Sequence, residues 1–116
     1  GGVDVRFKIA RVFGSDGAGS PIDVIAAGIG YLIDENVDVI NLSLGGQGTN
    51  DVERAVIARA IAANITVVAA LGNESTDNSI FPSFPANSPG VIAVSAVGQD
   101  RRLASYSNFG GAVAIT

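Results

Sequence analysis

The sequence predicts an α/β fold, a doubly wound parallel sheet between two helical layers. Its strand candidates, including residues 37–44, 65–70 and 91–97, are apolar runs with little polar alternation, a pattern typical of parallel strands buried on both faces. Segments with helical spacing of apolar residues lie between strands, as right-handed crossover connections require. With 116 residues, we expect a single unit over 1–116.

The amino-terminal part predicts one strand and one helix. Residues 7–13 (FKIARVF) are apolar enough for a strand, and a glycine-rich turn follows. Ser20 offers an N-cap, and Pro21 suits the first helical position. Apolar residues recur at helical spacing over 24–33, and Asn36 is suited to the left-handed conformation that ends a helix.

A second strand and helix follow with the same layout as the first pair, but their sequence does not repeat that of the first pair. The strand at 37–44 runs into a glycine-rich turn. Either Thr49 or Asn50 is expected to cap the next helix. Asp51 and Glu53 fall in its first turn, where the helix dipole favours acidic residues.

The carboxyl-terminal half predicts strands separated by polar loops. Asn64 closes the second helix, and the strand 65–70 follows directly. The loop 71–89 is long and polar and precedes the apolar strand 91–97. Residues 112–116 have the composition of a truncated last strand.

Composition excludes several classes of function. The net charge is −4 and the basic residues are dispersed, so we expect no nucleic-acid partner. No apolar run reaches about 18 residues, and no signal-peptide pattern opens the chain, so neither a membrane span nor a leader is expected. The chain has no cysteine and no histidine, which excludes thiolate chemistry, a Ser-His pair and His-ligated metal within it.

The most informative segment is the corner that ends the strand 65–70, where Gly72 and Asn73 follow Leu71. In open α/β sheets, ligands bind beyond the carboxyl ends of the strands. A fixed amide at Asn73 can donate hydrogen bonds to an oxygen that gains charge during a reaction. The alternative is an ordinary turn, because glycine and asparagine both tolerate positive φ.

A second candidate segment is Ser43-Leu44-Gly45-Gly46 at the end of the strand 37–44. Its glycines allow another backbone, such as a bound peptide, to approach closely. A plain strand-to-helix turn is one alternative. A nucleotide loop is another, although the spacing of a phosphate-binding motif is missing.

Two further segments are weaker candidates. The run Gly17-Ala18-Gly19 could form an edge with which a peptide pairs, or a flexible loop. The proline-rich loop 81–89 could shape a pocket or offer carbonyl oxygens to a hard cation, or it could simply be a stiff surface loop.

Taken in order, these segments closely resemble the middle of subtilisin-like serine peptidases. The resemblance covers almost the whole chain. DVINLSLGG and VVAALGNE are its most specific motifs, and PGVIAVSAV follows at the expected distance. The other matching segments are KIARVF, GAGS, FPANSPG and LASYSNFG.

The resemblance implies a role for each candidate segment. Asn73 matches the oxyanion donor of the family. Glu74 matches a residue at the rim of the S1 pocket, where it would favour basic P1 side chains. Ser83 matches the pocket floor. The walls of S1 correspond on one side to Ser43, Leu44 and Gly45, and on the other to Ala70, Leu71 and Gly72.

Other implied roles concern the outer substrate strand and a cation. Gly17, Ala18 and Gly19 match the strand that pairs with substrate residues upstream of the cleaved bond. Carbonyls near Ala86 and Val91 match a weak cation site of some relatives, so a structural Ca²⁺ is an expectation for a full-length protein only. No cofactor is otherwise expected. Most relatives are secreted, which gives an extracytoplasmic expectation.

The departures from the family pattern are as informative as the matches. The family's nucleophilic serine, histidine and aspartate motifs are all absent from these 116 residues. The resemblance therefore implies an incomplete fragment that is inactive by itself, cut from a serine endopeptidase. A non-catalytic α/β ligand-binding module or a pseudo-peptidase is the alternative. Leu71 replaces an alanine that is usual in the family. The match to the family is also offset near Pro21, so the family's preference at the S4 pocket cannot be transferred to this chain.

If the chain is such a fragment, its sheet also lacks a strand. In the family, the strand that carries the catalytic aspartate lies between those matching 7–13 and 37–44. Without it, the chain must leave an apolar gap, close it by direct pairing, or fill it from another copy. Because an unpaired apolar edge promotes association and strand exchange is an easy route to dimers, we expect self-association.

Overall fold

The fold is a parallel sheet with two helices, seen in a computed structural model that describes residues 3–15, 21–111 and 113–116. The strand order is β1-β2-β3-β4, and all neighbouring strands are parallel. This confirms the α/β class. The elements are α1 (Ile22–Asp34), β1 (Val39–Leu42), α2 (Asp51–Ala62), β2 (Thr66–Ala70), β3 (Ile92–Val94) and β4 (Val113–Ile115).

Only one face of the described sheet is covered. The strand residues buried in the core alternate along each strand and pair in register, so they share a face; they are Ile40, Leu42, Val67, Ala69 and Ala93. Buried residues of α1 and α2 join the same core. On the opposite face Val39 and Ile92 are 57% and 37% exposed. The expected burial of both faces is therefore wrong for these residues, because both described helices lie against one face.

The helix boundaries follow the predicted caps where the structure describes them. The Asn50 side chain accepts a hydrogen bond from the Glu53 backbone N–H at 2.8 Å, which satisfies a free donor of the first turn of α2. Asn36 and Asn64, which follow the two helices, have φ values of 55° and 62°. The predicted N-cap Ser20 lies outside the described residues, and Pro21 occupies the N-cap position.

The predicted strand at 7–13 does not form. Residues 3–12 have no regular structure, and Phe7 and Ile9 are 82% and 83% exposed. Val12 packs against the core and lies so close to α1 that a Cβ on Gly28 would be 2.7 Å from Val12 Cγ1. An open cleft of about 1020 Å³ separates the segment from β1. Apolar composition failed here because a strand also needs a neighbour with which to pair.

The buried carboxyl of Glu53 makes the stability of the fold depend on pH. Its side chain is 2% exposed and accepts a hydrogen bond from Thr49 Oγ1 at 3.1 Å. Burial raises the pKa of the Glu53 carboxyl, and the Thr49 hydrogen bond and the Arg54 charge offset this only in part. The folded protein therefore binds this proton more tightly than the unfolded chain does.

We expect the substitution Glu53→Gln to become relatively more stabilising as the pH rises. A raised folded-state pKa contributes stability that is fully present below the unfolded pKa and is lost as pH rises through the folded pKa. Glutamine stays neutral and keeps an acceptor for Thr49. Thermal unfolding of both forms between about pH 4 and pH 7 checks this, and parallel stability curves would contradict it.

In the described part of the chain, no helix is both long and apolar enough to cross a bilayer.

Candidate active site

A cleft of about 280 Å³ opens at the carboxyl ends of β1, β2 and β3. This is the edge at which open α/β sheets bind ligands. Its lining comes from the strand ends and the corner after β2, and includes Asn41, Ser43, Ala70, Leu71, Gly72, Asn73 and Ser95. The structure therefore brings the candidate segments around Ser43 and Asn73 together at this edge of the sheet.

Asn73 lies exposed at this cleft. The chain turns sharply just before it, at Gly72, whose φ is +116°. Within the described residues, no hydrogen-bond partner engages the Asn73 side-chain amide. An amide at a strand end with its donor hydrogens unused can bind an oxygen of a ligand.

The segments predicted as pocket walls meet around Gly45. A Cβ on Gly45 would lie 3.1 Å from Ser83 Oγ and 3.6 Å from the Ala70 carbonyl oxygen. Gly46 and Phe84 exchange two backbone hydrogen bonds, of 3.1 and 2.7 Å. These bonds tie the end of β1 to the loop that carries Ser83, so segments far apart in sequence form one surface.

Leu44 and Leu71 are placed differently from the other candidates. Leu71 lines the cleft, but it has no exposed surface and belongs to the hydrophobic core. Leu44 is half-buried against the same core and lines the larger cleft next to β1. The two leucine side chains therefore pack against the core and hold the ends of β1 and β2 in place.

Glu74 is exposed beside Asn73, and its carboxylate is held in place. Asn108 Nδ2 donates a hydrogen bond to Glu74 Oε2 at 2.7 Å. Hydrogen bonds to a charged acceptor are stronger than neutral ones. The orientation of this acidic side chain is thus set by a residue 34 positions further along the chain.

Asn108 is the important residue that the sequence reasoning missed. It is 3% exposed, and its side chain makes four hydrogen bonds, all to the segment 71–76. Its only sequence signal was its place in the LASYSNFG segment of the family resemblance. A second buried amide, Asn78, also donates to the Leu71 carbonyl, at 3.1 Å.

Some predicted site residues are not placed in the cleft. Gly17, Ala18 and Gly19 lie outside the described residues. Ala86 is buried and Val91 half-buried in the turns that lead to β3. Among the residues that the structure describes, no group of three or more His, Cys, Asp or Glu side chains could hold a metal ion.

The fold and the cleft define a class: an α/β domain with a small polar cleft at the carboxyl ends of parallel strands, bordered by a free amide and a glycine-lined strand end. The sequence model of the subtilase family, Peptidase_S8, matches residues 1–115. The chain belongs to the subtilase family.

Individual relatives agree with the family match. Subtilisin amylosacchariticus from Bacillus subtilis subsp. amylosacchariticus is 40% identical over 101 residues, which are 86% of this chain and 26% of that protein. Subtilisin DY from Bacillus licheniformis is 35% identical over 108 residues, covering 92% of this chain and 39% of that protein. The chain therefore spans between about a quarter and two fifths of these relatives.

The structure is also similar to solved structures of proteases. A cold-adapted subtilisin-like serine proteinase superposes with a TM-score of 0.80 at 25% identity, over 90% of this chain and 38% of that one. A protease structure from Pseudoalteromonas arctica gives a TM-score of 0.75 at 31% identity, over 82% of this chain and 31% of that one.

Proposed function

We propose that this chain is the oxyanion-binding and substrate-binding portion of a subtilisin-like serine endopeptidase. The observation that carries the proposal is the Asn73 amide, exposed at the cleft with no partner among the described residues. It lies just past β2, in the family motif that also includes Gly72 and Glu74. The family membership supports the reaction class, hydrolysis of peptide bonds.

In this proposal, Asn73 acts on the oxygen of the scissile carbonyl. When a nucleophile attacks, the carbonyl carbon becomes tetrahedral and its oxygen acquires negative charge. The Asn73 Nδ2 group donates a hydrogen bond to that oxygen and stabilises the charge as it develops. Because the ground-state carbonyl is weakly charged, this contact lowers the barrier more than it strengthens substrate binding.

The end of β1 binds the substrate backbone. In this proposal a peptide pairs with the backbone of Ser43, Leu44 and Gly45 as an added strand. Ser43 lines the cleft, and Leu44 and Gly45 follow it directly in the chain. Gly45 keeps the wall thin where it meets Ser83, since a Cβ there would crowd Ser83 Oγ at 3.1 Å. Ala70 and Gly72 form the facing wall of S1, with Leu71 packed in the core behind them, and Ser83 forms the floor. The substrate-pairing role proposed for Gly17 to Gly19 rests on the family resemblance, because these residues lie outside the described structure.

A complete catalytic apparatus requires residues that this chain does not contain. It has no histidine, so no imidazole is available to accept the proton of an attacking serine. We therefore propose that the 116-residue chain alone does not hydrolyse peptides, whereas a full-length protein that includes it does.

Peptide hydrolysis tests the proposal. The full-length protein is expected to cleave a fluorogenic peptide and to be inactivated by a serine-directed phosphonate. The purified 116-residue chain is expected to show no turnover above the background of a matched mock preparation. A full-length protein without turnover would contradict the function, and activity of the chain that persists after rigorous purification would contradict its inactivity.

Two further expectations rest on family likeness alone. We propose that the full-length protein is extracytoplasmic. We also propose that the full-length protein holds a structural Ca²⁺ near the carbonyls of Ala86 and Val91, because backbone carbonyl oxygens are among the ligands that this hard cation takes.

Glu74 provides a prediction about specificity. We expect Glu74→Gln to reduce the preference of the full-length enzyme for lysine over leucine at P1, by about fivefold in the ratio of kcat/KM values, because one pocket-rim charge is worth about 1 kcal/mol. The amide keeps an acceptor for Asn108. Hydrolysis of paired peptides that differ only at P1 measures the ratio, and an unchanged ratio would contradict the assignment.

We also propose that the isolated chain self-associates, with no nucleic acid or membrane as partner. Val3, Phe7 and Ile9 are each more than 80% exposed. Phe7 and Ile9 line a cleft of about 1020 Å³ that is also lined by the edge strand β1. Insertion of this segment from a second copy would bury it and pair β1. Light scattering of the chain is expected to show dimers or larger species, and a monodisperse monomer at high concentration would contradict this.

A further inference from the structure

Every hydrogen bond of the Asn108 side chain goes to the segment that carries Asn73. We propose that Asn108 is a positioning residue that holds Asn73, and with it Glu74, in the orientation needed at the cleft. This inference rests on the function proposed for Asn73, which it deepens. Asn108 itself does not line the cleft, so its effect must pass through the residues it binds.

The contacts lie on both sides of Asn73. Before it, Asn108 Nδ2 donates to the Leu71 carbonyl at 3.0 Å, and the Asn108 backbone N–H donates to the Gly72 carbonyl at 3.0 Å. After it, Asn108 Oδ1 accepts from the backbone N–H groups of Glu74 at 2.9 Å and Thr76 at 3.1 Å. The backbone that precedes and follows Asn73 is thus tied to a single buried residue.

Asparagine has the functional groups that this position uses. Its amide provides two donor hydrogens and two acceptor lone pairs; all four are used, since Nδ2 also donates to Glu74 Oε2 at 2.7 Å. An aspartate would lose both donors and place a second negative charge beside Glu74. An alanine would leave two backbone N–H groups without their acceptor, which matters because unpaired buried groups are costly.

The fit between Asn108 and the corner is close. A Cβ on Gly72 would lie 2.4 Å from Asn108 Nδ2, so the amide rests directly against the turn that precedes Asn73. Since Asn108 is 3% exposed, water has little access to replace its bonds. Displacement of a catalytic group by about 1 Å can cost about a hundredfold in rate, so the loss of this anchor is expected to appear in kcat.

Asn78 provides a matched control. It is also a buried amide, 1% exposed, and it also donates to the Leu71 carbonyl, at 3.1 Å. It makes no hydrogen bond to residues 73–76 in the described structure. A merely structural role for buried amides near Leu71 therefore predicts similar effects for both residues, whereas a positioning role singles out Asn108.

The test is a double-mutant cycle in the full-length enzyme, with kcat and KM measured separately. Asn108→Ala is expected to lower kcat at least about tenfold with KM changed less than about twofold, the pattern of an interaction realised only in the transition state. Asn78→Ala is expected to lower kcat less than about threefold. In the Asn73→Ala background, Asn108→Ala is expected to have almost no further effect on kcat.

Each outcome separates this inference from the proposed function. If Asn108→Ala lowers kcat by the same factor with and without Asn73, the positioning role is overturned while the role of Asn73 stands. If Asn73→Ala alone leaves kcat unchanged, the proposed function fails first. Should Asn108→Ala not fold, Asn108→Asp keeps the acceptor for Glu74 and Thr76 and serves in the same cycle, with the same additive outcome counting against the inference.

Discussion

Replacing Asn73 with alanine is expected to lower kcat of the full-length enzyme by about 10²–10³ while KM barely changes. This magnitude is that known for removal of the oxyanion-hole amide of subtilisin itself, a relative of this chain. The physical reason is that the amide binds charge that exists only in the transition state. Steady-state kinetics on a soluble peptide substrate measures both constants.

Asn73→Leu is the control for volume. Leucine is close to asparagine in size but cannot donate a hydrogen bond, so we expect a loss of kcat as large as that of Asn73→Ala. If filling the volume restored kcat, the effect of alanine would come from packing, and the proposed role of Asn73 would be wrong. An unchanged kcat in both variants would also remove Asn73 from this role.

The second large effect is expected from Gly72→Ala. At φ +116° an L-residue is strained, and the added Cβ would lie 2.4 Å from Asn108 Nδ2 and 2.5 Å from Glu74 Oε2. Glu74 is exposed and can move, but Asn108 is buried and held by its hydrogen bonds. We expect a loss of about 1–3 kcal/mol in the free energy of unfolding and a fall in kcat of at least about tenfold.

Gly46→Ala is the matched control for this substitution. Gly46 is tied to Phe84 by backbone hydrogen bonds, yet a Cβ there would meet nothing within 4 Å, and its φ lies outside the left-handed range. We expect its stability to change by less than about 1 kcal/mol and kcat to stay within about twofold. Chemical denaturation and steady-state kinetics on both variants provide the comparison. Equal effects of the two substitutions would contradict the account of the Gly72 corner.

The elements that the sequence predicted well are those specified by local patterns. Helical spacing of apolar residues and the Asn50 cap define α2 within a few residues, and apolar runs locate β1 and β2. The segment 7–13 was predicted wrongly because its composition suits a strand, but no described strand pairs with it. The apolar pattern of a segment indicates its own preference for a strand. Whether the strand forms also depends on the neighbours with which it can pair.

The residues of the candidate site also differ in whether a local sequence pattern predicts them. Gly72 and Asn73 were recognisable because a turn at the end of a strand has a local signature. Asn108 was not, because its role depends on contacts with residues 32 to 37 positions earlier in the chain. No pattern of spacing predicts that a particular buried amide will supply four hydrogen bonds to a distant loop.

A crystal structure of the full-length protein with a peptide boronate or aldehyde bound is the most direct test of the central claim. Such a ligand forms a tetrahedral adduct that imitates the charged intermediate. We predict that Asn73 Nδ2 lies about 2.7–3.1 Å from the adduct oxygen that occupies the oxyanion position, with the peptide backbone paired to Ser43–Gly45. An adduct whose oxygen is bound by other groups, with the Asn73 amide turned away from it, would contradict the account.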